Sequence, residues 1–223
     1  MNQLRITRQT LLDGTLRARQ REYARDHPDM RWRTDAEMAE LFEQIMAEHP
    51  AGHDLWVFGY GSLIWNPAFD YEESCCALLH GWHRRFCLKL YIGRGTPETP
   101  GLMLALDKGG ACRGVAFRIA AAKIQQELGL LWQREMYGGA YNARWVKLTV
   151  GDKRIQAITF VINPRHPRYI KELTTEETAA LIDSGRGDLG TCREYFDNTV
   201  AHLRELGVND AALARIAASL PST

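Results

Sequence analysis

The chain has 223 residues, of which 45% are hydrophobic and 25% charged, proportions that let a globular chain bury a core without disulfides. Twenty-eight Lys and Arg stand against 27 Asp and Glu, for a formal net charge of +1. That balance excludes the basic excess of a dedicated nucleic-acid binder and gives no reason to invoke an acidic membrane surface.

Residues 1–52 read differently from the rest. Thr7 to Arg25 is polar and Arg-rich, and Asp26-His27-Pro28-Asp29 breaks it. Thr34 with Glu37 three residues on is a capping-box signature, and Met38, Leu41, Phe42, Ile45 and Met46 follow at helical spacing until His49-Pro50. This stretch is expected to be an N-terminal helical extension, with residues 53–223 forming the second unit. That unit opens on Leu55-Trp56-Val57-Phe58, a short buried strand running into the tight loop Gly59-Tyr60-Gly61-Ser62. Further strands are predicted at Ala77–Leu79, Arg85–Leu90, Leu102–Leu106, Cys112–Ile119, Trp145–Val150 and Ile155–Val161. Turn signals at Pro100-Gly101, Gly109-Gly110 and Gly151-Asp152 punctuate them. Helices are predicted at Ala121–Gln133, Thr175–Asp183, Thr191–Leu206 and Asn209–Leu220. Strands followed by helices give an α+β class with a mixed, barrel-like sheet and surrounding helices.

No stretch is long and apolar enough to predict a membrane helix, and Met1 to Arg21 has no signal-peptide core. The five cysteines, Cys75, Cys76, Cys87, Cys112 and Cys192, form no C-x-x-C pair, which fits a reducing, cytoplasmic compartment. Neither a Cys–His nucleophile pair (Cys75, Cys76 or Cys87 with His80 or His83) nor a metal site (His80, His83, His166, His202) has supporting spacing.

Three segments can carry chemistry. Gly59-Tyr60-Gly61-Ser62-Leu63-Ile64-Trp65 follows a strand, and its glycines let successive N–H groups form an anion nest. The competing reading is a structural turn; the spacing is neither a dinucleotide fingerprint nor a P-loop. Arg94-Gly95-Thr96-Pro97-Glu98-Thr99-Pro100-Gly101 has defined turn chemistry, with Arg94 able to fork a carboxylate; it also reads as a plain connector. In Gln133-Arg134-Glu135-Met136-Tyr137-Gly138-Gly139-Ala140-Tyr141, a glutamate sits at a predicted helix end beside a Gly-Gly opening. Solvated, Glu135 is only a surface charge. In a cleft, burial raises its pKa and makes it a competent base.

Taken in order, these segments resemble the ChaC proteins, glutathione-specific γ-glutamylcyclotransferases. Val57 to Trp65 is similar to the signature loop of that family. Arg84-Arg85-Phe86, Arg94-Gly95-Thr96-Pro97 with Pro100-Gly101, Cys112-Arg113-Gly114-Val115-Ala116, and Arg134-Glu135 with Gly138-Gly139 match in the same order. The resemblance runs from about Asp54 to about Leu206. It implies a γ-glutamylcyclotransferase-like barrel and a γ-glutamyl group held by Gly59, Tyr60, Gly61, Ser62, Leu63 and Ile64. It further implies Glu135 as proton acceptor, with Arg94 and Tyr195 near substrate. The implied reaction is attack of the γ-glutamyl α-amine on its own γ-carbonyl, releasing 5-oxoproline and Cys-Gly from glutathione. No metal or other cofactor is called for, and the expected partner is the small peptide alone, with no nucleic acid and no membrane insertion. Alternatives are a cyclotransferase for other γ-glutamyl peptides or amines, and a non-catalytic ligand-binding regulator of transport. One departure is Leu90-Tyr91-Ile92-Gly93 before Arg94, where eukaryotic members commonly carry Ser-x-Asp-His.

Overall fold

The structure is a computed structural model that describes residues 5–221; residues 1–4 of the expected extension lie outside them. Three helices come first: α1 (Arg8–Leu12), α2 (Thr15–Asp26) and α3 (Asp35–Met46). The Thr34/Glu37 capping box forms, with Glu37 N–H donating to Thr34 Oγ1 at 3.2 Å and Thr34 N–H donating to Glu37 Oε2 at 2.8 Å.

Five strands then close a barrel in the order β1 (Leu55–Gly59), β3 (Gly101–Ile119), β2 (Glu73–Leu90), β4 (Tyr141–Val150), β5 (Lys153–Ile162). All neighbours are antiparallel except β1 and β5, whose parallel contact at Val57 and Ile158 closes the ring and leaves no free edge. Helix α4 (Ile124–Met136) links β3 to β4. After β5 come α5 (Thr175–Ser184), the two-residue strands β6 (Arg186–Gly187) and β7 (Gly190–Thr191), α6 (Cys192–Glu205) and α7 (Ala211–Ser219).

Two strands are longer than their sequence suggests. Ala77–Leu79 and Arg85–Leu90 belong to one strand, β2, and Leu102–Leu106 and Cys112–Ile119 to one strand, β3. The predicted Gly109-Gly110 turn lies inside β3. The register shift between His80 and Trp82 faces it across the pair, with Gly81, Gly109 and Gly110 all at positive φ. Irregularities on both strands let the ribbon bend where isolated glycines would read as an end.

Alternation along β1 divides the core. Val57 and Leu55 pack with Phe117, Ile158 and Phe160 against Leu128, Leu131 and Trp132 of α4 and Met38 of α3. Phe58 packs with Leu79, Leu104, Ala116 and Val161, in a cluster continuous with Ile182, Phe196, Leu203 and Leu213 of α5–α7. The N-terminal helices are attached by specific polar contacts as well. The buried Arg33 donates to Met136 O (2.5 Å), Tyr141 O (3.0 Å) and Asn142 Oδ1 (3.2 Å), capping the last turn of α4. Trp132 Nε1 donates to Met38 O at 2.9 Å.

Candidate active site

Strand β1 delivers the loop that starts the site. Gly59 has no room for a side chain: an added Cβ would lie 2.9 Å from Leu63 Cβ. The chain then folds into a single 3-10 turn at Ser62–Ile64, with Ile64 N–H donating to Gly61 O at 2.8 Å. Two arginines hold this loop from behind. Arg84, on β2 and almost fully buried, donates from Nε to Tyr60 O (3.0 Å) and from Nη1 to Asp210 Oδ2 (2.8 Å), and from Nη2 to Arg113 O. Arg134, on α4, donates to Asn66 O (2.7 Å) and Ser62 Oγ (2.8 Å). Its Nε also lies 3.1 Å from Glu135 Oε1.

Glu135 sits in the last turn of α4. Its side chain keeps only 17% exposure, and that opens into a cavity of about 580 Å³. Burial raises its pKa above the ordinary 4.5, and the neighbouring Arg134 charge opposes that shift without cancelling it. Tyr60, Tyr141 and Tyr195 surround the carboxylate closely enough for its charge to act on each of them; burial is the main cause of their raised pKa values, Tyr195 reaching about 12. All three phenols therefore stay protonated around neutrality.

Tyr195, in the first turn of α6, faces the loop. An added Cβ on Gly61 would stand 3.1 Å from its hydroxyl and 3.3 Å from Leu104 Cδ2, so glycine at this position lets the tyrosine reach the backbone. Its ring packs at 5.6 Å from that of Trp65 and 6.1 Å from that of Phe86.

The cavity brings together Tyr60, Gly61, Ser62, Leu63, Arg94, Glu135 and Tyr195 from the sequence-predicted set. Gly59 and Ile64 are not on its wall: Gly59 permits the close packing behind the loop, and Ile64 packs against the core. Tyr60 offers the cavity its backbone, because its hydroxyl donates to Phe160 O at 2.8 Å inside the protein. Arg94 lies over the Tyr195 ring at 5.7 Å and is itself held by Thr191 O (2.7 Å) and Glu194 (3.3 Å).

This arrangement can be compared with known proteins. Residues 55–222 match the family model described as ChaC-like protein. The chain belongs to the ChaC family. It is 44% identical over 183 residues, 82% of its length and 79% of the relative's, to the Escherichia coli glutathione-specific γ-glutamylcyclotransferase. That matched stretch is longer than residues 55–222, so it reaches at least into α3. The zebrafish (Danio rerio) glutathione-specific γ-glutamylcyclotransferase 1 is 33% identical, covering 76% of this chain and 90% of its own. The fold matches that of the yeast γ-glutamyl cyclotransferase specific to glutathione with a TM-score of 0.67, at 21% identity, covering 75% of this chain and 98% of that one.

Several residues at the site were given no part in it by the sequence, Tyr141 among them although it closes the Glu135 segment. Tyr141, whose hydroxyl donates to Leu104 O at 2.9 Å, and Arg168, in the loop after β5, both line the cavity. So do Arg5, Ile6 and Thr7, where Asn66 Nδ2 donates to Ile6 O at 2.8 Å. Leu189, between β6 and β7, forms another part of the wall, and its N–H donates to Gly93 O at 2.8 Å. The adjacent Asp188 is gripped by α2: Arg19 reaches it from Nε (3.1 Å) and Nη2 (2.5 Å), and the Tyr23 hydroxyl donates to the same oxygen. The Arg84-Arg85-Phe86 motif was legible, but nothing local assigns Arg84 to the Tyr60 carbonyl 24 residues earlier.

Proposed function

We propose that this chain cleaves glutathione to 5-oxoproline and Cys-Gly, with Glu135 moving the proton. The observation that carries the reading is Glu135 itself: a carboxylate of raised pKa, open to a small cavity beside a Gly-Tyr-Gly-Ser loop.

The chemistry follows from that placement. The α-amine and γ-carbonyl belong to one residue, so the attack is intramolecular; well-oriented reactions of this kind reach effective molarities of about 10⁵–10⁸ M. The α-amine is an ammonium at neutral pH and must lose a proton before it attacks. Glu135, ionised and desolvated, accepts it. The amine nitrogen then bonds to the γ-carbon, and the carbonyl oxygen takes up negative charge against backbone N–H groups of Gly61 to Leu63. When the tetrahedral centre collapses, the bond to the cysteine nitrogen breaks and Glu135 returns the proton to that nitrogen. One C–N bond forms and one breaks, and no water is consumed. Tyr195, protonated and set against Gly61, is placed to donate a hydrogen bond to the γ-glutamyl group. Its five cysteines as free thiols fit a reducing, cytoplasmic setting.

The N-terminal helices belong to this working unit in our reading, since α2 grips Asp188 and residues 5–7 help to wall the cavity. The test is incubation of the purified protein with glutathione, and separately with γ-glutamyl amino acids and amines, scoring 5-oxoproline. Glutathione turned over by the full chain, lost in Glu135→Gln without loss of fold, supports the proposal. No 5-oxoproline from any of these compounds would leave a binding protein. Normal turnover by Glu135→Gln would assign the proton to another group.

A further inference from the structure

The cavity wall carries four arginines, Arg5, Arg94, Arg134 and Arg168, against two glutamates, Glu135 and Glu194. Two of the arginines are already engaged. Arg94 is bound to Thr191 O and Glu194, and Arg134 to Asn66 O, Ser62 Oγ and Glu135. Arg5 stands exposed at the mouth. Arg168 differs from all three: it is largely enclosed, its Nε is buried without a partner, and its guanidinium has no ion pair or hydrogen bond among the described residues. Burial pulls its pKa down, an effect that the Tyr141 and Tyr91 phenols only partly offset. A desolvated cation without a counter-charge is costly to hold.

The backbone around it is firmly held. Lys89 N–H donates to Arg168 O (2.9 Å), Ile170 N–H to Cys87 O (2.8 Å), and Asn163 N–H to Ala140 O (2.8 Å). Arg168 N–H donates to His166 Nδ1 at 3.3 Å. The fold therefore fixes the stem and leaves the head unsatisfied, as a site awaiting an anionic group would require.

Position says which group. Arg168 Nη2 stands 3.7 Å from where a Cβ on Gly138 would be, and Gly138 also lines the cavity. Gly138 follows Glu135 by three residues, in the turn that leaves α4, where Gly139 N–H donates to Met136 O at 3.1 Å. Tyr141 is close enough to feel both the Glu135 and the Arg168 charge. In glutathione the scissile bond is separated from the glycine carboxylate by two residues, which span at most about 7 Å when extended. With the scissile bond at Glu135, that carboxylate reaches the neighbourhood of Gly138.

We propose that Arg168 receives the C-terminal carboxylate of the leaving dipeptide and so selects γ-glutamyl peptides of this length over γ-glutamyl amines. This rests on the reaction proposed above. Arg94, held by Glu194, is then the lesser contributor to that selection.

The experiment compares glutathione with its C-terminal glycinamide, which keeps the length and removes the charge. For the wild type, kcat/KM for glutathione should exceed that for the amide by roughly 10- to 100-fold, the range of a charge-assisted contact. Arg168→Met should lower glutathione turnover by that factor and leave amide turnover within about twofold, and Arg168→Lys should recover part of the loss. Without ligand, Arg168→Met should melt no lower than wild type, because the removed charge had no partner. In the Glu135→Gln background, calorimetric binding of glutathione should weaken by a similar factor when Arg168 is replaced, which reads the contact without turnover. Equal loss on both peptides, or a wild type that treats them alike, overturns the assignment of Arg168. If the wild type forms no 5-oxoproline from either peptide, the reaction itself is wrong, and Arg168 falls with it as a determinant of that reaction.

Discussion

Arg84 ties the Gly59-Tyr60-Gly61-Ser62 loop to β3 and to the start of α7, and its removal tests whether that loop is held from behind. In Arg84→Met the stem still fills its space, but Tyr60 O and Arg113 O lose their donor and Asp210 loses its cation. Asp210 is not orphaned, because it remains 18% exposed and still accepts from Ala212 N–H (3.0 Å) and Leu213 N–H (3.2 Å) at the start of α7. The cost is therefore the Tyr60 carbonyl left unsatisfied, about 1–3 kcal/mol, a weakened Arg113 carbonyl that keeps only the Cys112 thiol as side-chain donor, and a broken ion pair. A total of about 3–5 kcal/mol agrees with what breaking a buried pair costs. For a chain of this size, each kcal/mol lowers Tm by about 2–4 °C, so the melting temperature should fall by about 6–20 °C. Asp210→Asn keeps one oxygen for the cap and sets its amide NH2 toward Arg84 Nη1, but Arg84 still holds Tyr60 O and Arg113 O, so this change should cost less. Thermal melts at neutral pH measure both, and KM for glutathione, taken well below the lowered Tm, should rise in Arg84→Met as Tyr60 and Gly61 lose their anchor. A melting point within about 2 °C of wild type, or a larger cost from Asp210→Asn, would refute the reasoning.

Other outcomes follow from the same geometry. Because burial raises the pKa of Glu135, activity should fall on acidification at a pH above the ordinary carboxylate value of 4.5, as the base becomes protonated; a pH profile of kcat/KM measures this. The sign for stability is opposite to that of a salt-bridged carboxylate. The folded state binds the proton more tightly than the unfolded chain, so stability falls as pH rises through the folded pKa. Glu135→Gln should therefore melt higher than wild type at neutral pH, with the difference vanishing below about 4. Gly61→Ala should fold normally, since Gly61 has φ −140°, yet lose roughly 10- to 100-fold in kcat/KM because its methyl group presses on the Tyr195 hydroxyl. If the clash is its cause, Tyr195→Phe should cost less in the Gly61→Ala background than in the wild type; independent, multiplying losses would argue against it. Asp188→Asn, which weakens the grip of Arg19 and Tyr23, should raise KM with a smaller change in kcat, seen in steady-state kinetics.

What could be read in the sequence was chemistry carried by adjacent residues. The strand–loop Leu55 to Ser62, the Thr34/Glu37 capping box and the glutamate before Gly138-Gly139 each signal locally, and each occupies the place expected of it. The helix after Ala120 starts three residues late, because Ala121–Lys123 forms a tighter turn first. Continuity of β2 and β3 was hidden because glycines that bend a paired ribbon look like glycines that end a strand. The parts played by Arg84, Tyr141 and Arg168 were not legible for another reason, although Arg84 and Tyr141 stood in segments already singled out. Each acts across the fold, on a carbonyl or cavity made by residues far away in sequence, and an isolated arginine or tyrosine carries no sign of its partner.

The charge balance shows the same limit in its simplest form. A formal net charge of +1 over the chain suggests no field worth mentioning. Yet the cavity gathers four arginines against two glutamates, and one of the four, Arg168, has a buried Nε and no counter-charge among the described residues. Glutathione carries two carboxylates and one ammonium at neutral pH, so a locally cationic, enclosed pocket complements it where an exposed basic patch would be screened. Low permittivity inside the cavity strengthens every such contact. It also explains how one pocket can serve both attraction and reaction: the burial that leaves Arg168 unsatisfied surrounds Glu135 as well and raises its pKa. If glutathione neutralises Arg168 on binding, it also closes the cavity over Glu135. The acid limb of kcat, which reports the bound enzyme, should then lie above that of kcat/KM, which reports the free one. For the glycinamide the gap should be smaller, since its uncharged end makes no ion pair with Arg168 and holds the peptide less firmly over Glu135. A gap of the same size for both peptides would mean that Arg168 and Glu135 do not communicate through the bound substrate.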